Sequence, residues 1–255
     1  MKKFGVATLS IIPVRTEPSD KAELCTQLLF GDEYEVLATS ENLKWLKICT
    51  IYDDYEGWID AKQHTPQEIL QADNTSVIST LTQQIHTENF SFPIVLGSVF
   101  PSIKENTFEL ATQKFYIQTT QETSFGYFEF AALQSIAFKY LNAPYLWGGK
   151  TPFGIDCSGF VQQVFKICGI KLPRDAYQQE RLGINIVFGE QTTGDLVFFA
   201  GESGRVIHVG LMIDNETIIH AHAYVRLDQL TELGILNLKT NLYSHRLHSI
   251  KRMEP

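Results

Sequence analysis

The sequence predicts an α+β domain, with helices set against an antiparallel sheet, preceded by two small all-β barrels. Three observations predict it. Short β-rich runs broken by turn residues fill the first half of the chain, and helical spacing begins only after Tyr127. Strand-like runs then return toward the C-terminus, an order that segregates helices from strands as α+β folds do.

Val6 to Val14, Glu33 to Thr39, Trp45 to Ile51 and Gly57 to Asp60 are β-rich. Glu17-Pro18-Ser19-Asp20, Phe30-Gly31-Asp32, Ser40-Glu41-Asn42 and Asp53-Asp54 punctuate them as turns. This spacing predicts a small barrel over residues 1–66, with Ala61 to Pro66 as a linker. Ser76 to Thr82, Val95 to Phe100, Thr107 to Leu110 and Lys114 to Thr119 suggest a second barrel over 67–127.

In residues 128–255, Phe130, Leu133, Ala137 and Leu141 recur at helical spacing and stop before Pro144. A loop rich in Gly and Pro runs from Asn142 to Asp156. Cys157 to Cys168 then presents Phe160, Val161, Val164 and Phe165 on an apolar face, with Gly169 suited to the helix C-terminus. Asp195 to Phe199, His208 to Ile213, Thr217 to Ala221 and Leu247 to Lys251 read as strands.

Composition narrows the function. The chain has 255 residues, 44% hydrophobic and 20% charged, with a net charge of -8. No cationic stripe suits a phosphate backbone, so nucleic acid is not an expected partner. No apolar run approaches the roughly 20 residues a membrane span needs. The N-terminal stretch from Met1 to Ile12 alternates, carries Thr8 and Ser10, and reads as a strand rather than a signal peptide. Four cysteines, Cys25, Cys49, Cys157 and Cys168, are no disulfide scaffold. Free thiols make the cytoplasm the expected compartment, with secretion as the alternative.

Cys157 sits at the start of a helix after a glycine-rich loop. Unpaired N–H groups and the helix dipole there favour thiolate, so its pKa is expected below the free value of about 8.5. The same N–H groups suit an oxyanion. Cys168, on the apolar face, reads as structural. His208 and His220 flank a turn at Asp214-Asn215-Glu216 and are expected abreast on neighbouring strands. One imidazole would act as base and the other would steady it. A zinc reading would use His220 and His222 on one strand face with His208. It leaves the Cys157 loop without a role, and no metal or cofactor is expected. His64, His86, His245 and His248 show no partner in the sequence.

Tyr145-Leu146-Trp147-Gly148-Gly149, with Gly154-Ile155-Asp156-Cys157-Ser158-Gly159-Phe160-Val161, resembles the core motif of NlpC-type cell-wall peptidases. Leu172-Pro173-Arg174-Asp175, Gly194-Asp195-Leu196-Val197, His208-Val209-Gly210 and Ile219-His220-Ala221 follow in that family's order. Val14-Arg15 to Gln27 and Tyr55-Glu56-Gly57-Trp58-Ile59 resemble bacterial SH3-type domains. The resemblance implies a papain-like core with Cys157, His208 and His220 as triad and Tyr145 beside the nucleophile. It implies hydrolysis of the γ-D-glutamyl to diamino acid bond in murein peptides, with a free N-terminal L-Ala bound near Asp156 and Ser158. Glu23 and Tyr55 are the candidates contributed by the barrel. Ala176 stands where some relatives have serine, which removes one hydrogen bond to the amine. A monomer is expected. The alternatives are a non-catalytic wall-binding protein, or a thiol amidase or acyltransferase on the same core.

Overall fold

The computed structural model describes residues 3–68, 75–101, 103–118 and 130–253. The chain divides into two compact units, residues 1–127 with Trp147–Thr151, and Phe128–Leu146 with Pro152–Pro255.

In the first unit, strands Lys3–Val6, Ile11–Arg15, Leu24–Leu29, Glu33–Thr39, Trp45–Thr50 and Glu56–Asp60 form one six-stranded sheet. Alternating residues Ile12 and Val14, then Ile48 and Ile59, point into a shared core with Leu28 and Tyr34. The expected single strand from Val6 to Val14 is two strands separated by a turn. Leu24–Leu29 escaped the sequence reading. Ala61 to Pro66 is no free linker. It contains a short 3-10 helix, its Thr65 carbonyl accepts Val6 N–H at 3.0 Å, and Pro66 bridges Gly5.

Among the described residues, the second run of strands forms two sheets. It makes a four-stranded sheet of Thr82–His86, Ser91–Val95, Thr107–Leu110 and Gln113–Ile117, and a ladder of Thr75–Val77 with Val99–Pro101. Its core of Ile85, Ile94, Phe108 and Phe115 takes in Val6 from the first sheet and Phe30 from the turn after Leu24–Leu29. The expected strand from Val95 to Phe100 is broken by Gly97 at φ +90°. Residue 119, the end of the last expected strand, lies outside the described residues.

The second unit corrects the predicted fold class. The chain is mostly β, 47% strand and 11% helix, with a closed six-stranded barrel where helices against an antiparallel sheet are expected. Leu242–Arg252, Leu196–Ala200, Val206–Met212, Thr217–His222, Tyr224–Thr231 and Gly234–Asn237 pair in that order. Gly234–Asn237 pairs back onto Leu242–Arg252, closing a six-stranded barrel, and Ile184–Asn185 adds a seventh, outer strand. Among the described residues of this unit, the α-helices are Leu133–Phe138, Cys157–Ile167 and the single turn Ala176–Gln179. The closure depends on Tyr224–Thr231 and Gly234–Asn237, strands beyond those expected from the sequence. Without them the sheet stays open and a second layer is needed to cover it.

Val197, Phe199, Met212, Ile218, Leu230, Ile235 and Ile250 fill one part of the barrel interior. Strand register puts His208 opposite Phe199 and pairs His220 with Arg226 and Ile218 with Asp228, all on that inner face. The interior thus has an apolar end and a polar end. Helix Cys157–Ile167 packs outside against Val206–Met212. Among the described residues, no helix is long and apolar enough to cross a membrane.

Gly31 tests the first unit. It sits at φ +85°, and a Cβ there would lie 1.6 Å from the Val99 carbonyl oxygen. The obstacle is backbone, which cannot rotate away. Gly31→Ala is expected to cost about 1–3 kcal/mol or more, seen as a lower midpoint in thermal denaturation.

Candidate active site

Helix Cys157–Ile167 starts where Asp156 caps it. Asp156 is extended, and its Oδ1 accepts Gly159 N–H at 2.7 Å. The Arg174 guanidinium, 1% exposed, donates to Asp156 Oδ1 and to Ser158 Oγ, each at 2.9 Å, and also to Asp156 Oδ2. Buried charge is tolerated here because it is paired and hydrogen-bonded on both carboxylate oxygens. Cys157 is the first helical residue. The N–H groups of Val209 and Ser158 hydrogen-bond its sulfur, which places that sulfur against the backbone next to His208.

The expected depressed thiol pKa is not what the free protein has. Burial, then the Asp156 carboxylate, push the Cys157 thiol up to about 12, outweighing both N–H bonds and Arg174. The helix end is present, but the sulfur is dry. Tyr145 bridges Ile155, and burial, then the Cys157 sulfur, raise its phenol well above the ordinary value. It remains an O–H donor near the sulfur.

The two histidines meet, though not abreast. Register aligns Leu211 with Ile219, so His220 falls beside Gly210 and lies diagonal to His208. The contact depends on that glycine: a Cβ at 210 would stand 3.0 Å from His220 Cβ and 2.6 Å from Ile218 Cδ1. His208 Nε2 lies 2.8 Å from His220 Nδ1, and His220 Nε2 lies 3.0 Å from Asp228 Oδ2. Arg226 Nε donates to the same Oδ2 at 2.8 Å, and Leu238 N–H donates to Oδ1 at 3.1 Å.

This line settles the tautomers. Asp228 is ionised, since hydrogen bonds from His220 and Leu238 and the Arg226 charge outweigh its desolvation and lower its pKa. An ionised carboxylate only accepts, so His220 Nε2 carries the proton. A neutral His220 then has a bare Nδ1, which accepts from His208 Nε2–H. His208 Nδ1 is left bare, and it is the basic nitrogen. Burial, then His220, hold His208 well below the usual imidazole pKa. The resting state is a thiol beside a neutral imidazole.

Sequence reading missed Asp228, Arg226 and the role of Arg174. Tyr224, Arg226, Asp228 and Leu230 alternate, which signals a strand with a polar inner face. It also assigned His245 no partner, but that ring stacks on His208 with centroids 4.1 Å apart. His64 likewise has one, Tyr34 Oη at 3.1 Å from its Nδ1. Glu23 is exposed just before strand Leu24–Leu29, and Tyr55 is half-buried in the turn before Glu56–Asp60. Both belong to the first unit.

Residues 142–252 match the NlpC/P60 family, and residues 14–63 match the bacterial dipeptidyl-peptidase Sh3 domain. The chain therefore carries an NlpC/P60 domain behind a bacterial Sh3 domain. It is 29% identical to a gamma-D-glutamyl-L-lysine dipeptidyl-peptidase of Bacillus subtilis over 245 residues, 89% of this chain and 80% of that one. A murein DD-endopeptidase/LD-carboxypeptidase, MepS, of Escherichia coli is 48% identical over 79 residues, 30% of this chain and 41% of its own. The crystal structure of an NlpC/P60 family protein from Bacillus cereus superposes with a TM-score of 0.85 at 22% identity, covering 99% of this chain and 100% of that one. That likeness is one of fold.

His208, His220, His222 and His245 are all held below the usual imidazole pKa, burial being the largest cause for each. His245 is lowered to about 4. Below the ordinary value of about 6.5 the unfolded chain takes up protons that the native cluster does not. Native stability should therefore fall as pH drops through 6.5 toward about 4. The lowered pKa of Asp228 acts separately, removing stability only below its ordinary value of 3.8. A thermal midpoint that does not decline between neutral pH and pH 5 would contradict the neutral cluster.

Proposed function

We propose that this chain is a cysteine peptidase that cuts the γ-D-glutamyl to diamino acid bond of small murein peptides bearing a free N-terminal L-alanine. One observation carries the chemistry. Cys157 at a capped helix start takes the N–H of Val209, the residue next to His208, and the line from Asp228 through His220 sets which nitrogen of His208 is bare. The names of the Bacillus relatives support the bond and the release of a dipeptide.

In this reading Cys157 Sγ attacks the γ-carbonyl of glutamate while its proton passes to His208 Nδ1. The imidazolium that forms donates through Nε2 to His220, and Asp228 balances the positive charge two bonds away. Ser158 N–H and the Tyr145 hydroxyl are the donors for the tetrahedral oxyanion. Collapse expels the amine of the diamino acid, which takes the proton from His208. A water, deprotonated by His208, then hydrolyses the thioester and frees L-Ala-D-Glu. Because the thiol starts protonated, the reaction needs a general base rather than a preformed ion pair. The Asp156 carboxylate and Ser158 hydroxyl are the polar groups assigned to the substrate ammonium, and Arg174 holds both in place. We assign the reaction to the recycling of released wall peptides.

Mass spectrometry of digests tests the substrate. L-Ala-γ-D-Glu-L-Lys should be cleaved between Glu and Lys, its N-acetylated form far more slowly, and neither by Cys157→Ala. Equal rates on the two peptides would remove the requirement for a free amine.

Asp228→Asn tests the line of imidazoles. An asparagine can satisfy Leu238 N–H only by turning its NH2 toward His220. That donor requires a bare His220 Nε2, which moves the proton to Nδ1 and reverses the tautomer of His208. The kcat is expected to fall by roughly 10²–10⁴ with little change in KM, as when the orienting carboxylate of a catalytic triad is replaced by its amide. A kcat within twofold of wild type would show that Asp228 is structural.

A further inference from the structure

Four imidazoles converge at the polar end of the barrel interior. One ligand nitrogen from each of His208, His220 and His245 lies within 4.8 Å of the others. This trio differs from the one that a zinc reading of the sequence would use, with His245 in place of His222. His222 is exposed on the rim, its ring 4.8 Å from that of His245.

Zinc binds imidazole nitrogens at about 2.0–2.1 Å, and a tetrahedral site therefore spaces them by roughly 3.3 Å. His208 Nε2 and His220 Nδ1, at 2.8 Å, are closer than that by about half an ångström. His245 has to swing inward. It is half-buried, and its Nδ1 engages Ser244 Oγ at 2.9 Å, which leaves Nε2 for an ion. The surroundings suit a metal. His220 Nε2–H donates to Asp228, the carboxylate partner that ligating histidines use to fix their tautomer. Arg226 is paired with the same carboxylate at 2.7 Å, so its charge is offset.

We propose that His208 Nε2, His220 Nδ1 and His245 Nε2 form a reversible site for a zinc-class divalent cation, and that filling it switches the enzyme off. The site is independent of the catalytic reading, but the switch rests on it. Binding at His208 Nε2 requires the proton there to move to Nδ1. The ring stays neutral and no proton is released. The nitrogen that would accept the Cys157 proton now carries one, so the base is blocked without any metal–sulfur bond. The fourth position is left to water, and the rim beside His222 is the way in.

The test starts from Cys157→Ala, which removes the reactive thiol as a competing ligand. Titration with Zn²⁺ against a chromophoric chelator, in a non-coordinating buffer, should show one ion bound per chain. Adding His245→Phe keeps a ring stacked on His208 and removes the nitrogen, so affinity should fall about tenfold or more. Unaltered thermal midpoints confirm that both variants fold. In the wild type, Zn²⁺ should inhibit peptide cleavage and a chelator should restore it. His245→Phe alone should need about tenfold more zinc for half inhibition. Equal zinc affinity with and without His245, no binding to Cys157→Ala, or undiminished inhibition of His245→Phe would each overturn the proposal. His245-dependent binding by a chain that cleaves no peptide would keep the metal site and remove the peptidase reading.

Discussion

The hydrogen bond from His220 Nε2 to the Asp228 carboxylate governs the chemistry available to this site. It decides where the proton sits on His220, and through His220 which nitrogen of His208 is basic. The bond lies in a nearly dry interior, where His220 is 0% and Asp228 2% exposed. There a carboxylate is a strong acceptor and a misplaced proton is costly to correct. The His220 bond itself, the Leu238 N–H on the other oxygen and then the Arg226 charge keep that carboxylate ionised. Remove any of these and His208 is free to present either nitrogen.

The barrel supplies the geometry that line requires. A closed ring of strands has an inside, and strand alternation delivers every second residue to it. One end is packed with Val197, Met212, Ile218, Leu230, Ile235 and Ile250. The same inner face, continued along the same strands, holds the histidines, Arg226 and Asp228. Gly210 makes the junction possible, since a side chain there would collide with Ile218 and His220. Outside the barrel, helix Cys157–Ile167 is anchored by the buried Asp156–Arg174 pair, and its first residue meets the backbone beside His208. Cys157 thus comes from the helix and His208 from the strand that the helix packs against.

Much of this was legible in the residues. Cys157 and Gly169 mark a helix start and stop, and the helix expected from Cys157 to Cys168 runs from Cys157 to Ile167, with Asp156 as its cap. The pairing of His208 with His220 followed from a turn between two strand-like runs. The thiol's environment was not legible, because the dipole argument says nothing about how much water reaches the sulfur. Asp228 was hidden because Tyr224–Thr231 was not read as a strand, so its alternation had no face to belong to. His245 was hidden for a different reason. It reaches His208 only because a strand far along the chain closes the barrel.

The sequence by itself determined the local signals: which residue starts the helix, which runs alternate, and which side chains can carry acyl-transfer chemistry. Each of these depends on neighbours a few positions away, where backbone geometry and side-chain periodicity act directly. Only the tertiary structure decided that the sheet closes, that Asp228 and His245 join the imidazoles, and that the nucleophile rests as a buried thiol. Those outcomes depend on pairing between strands remote in sequence, and on the dielectric their packing creates. Neither is written in any short stretch of residues.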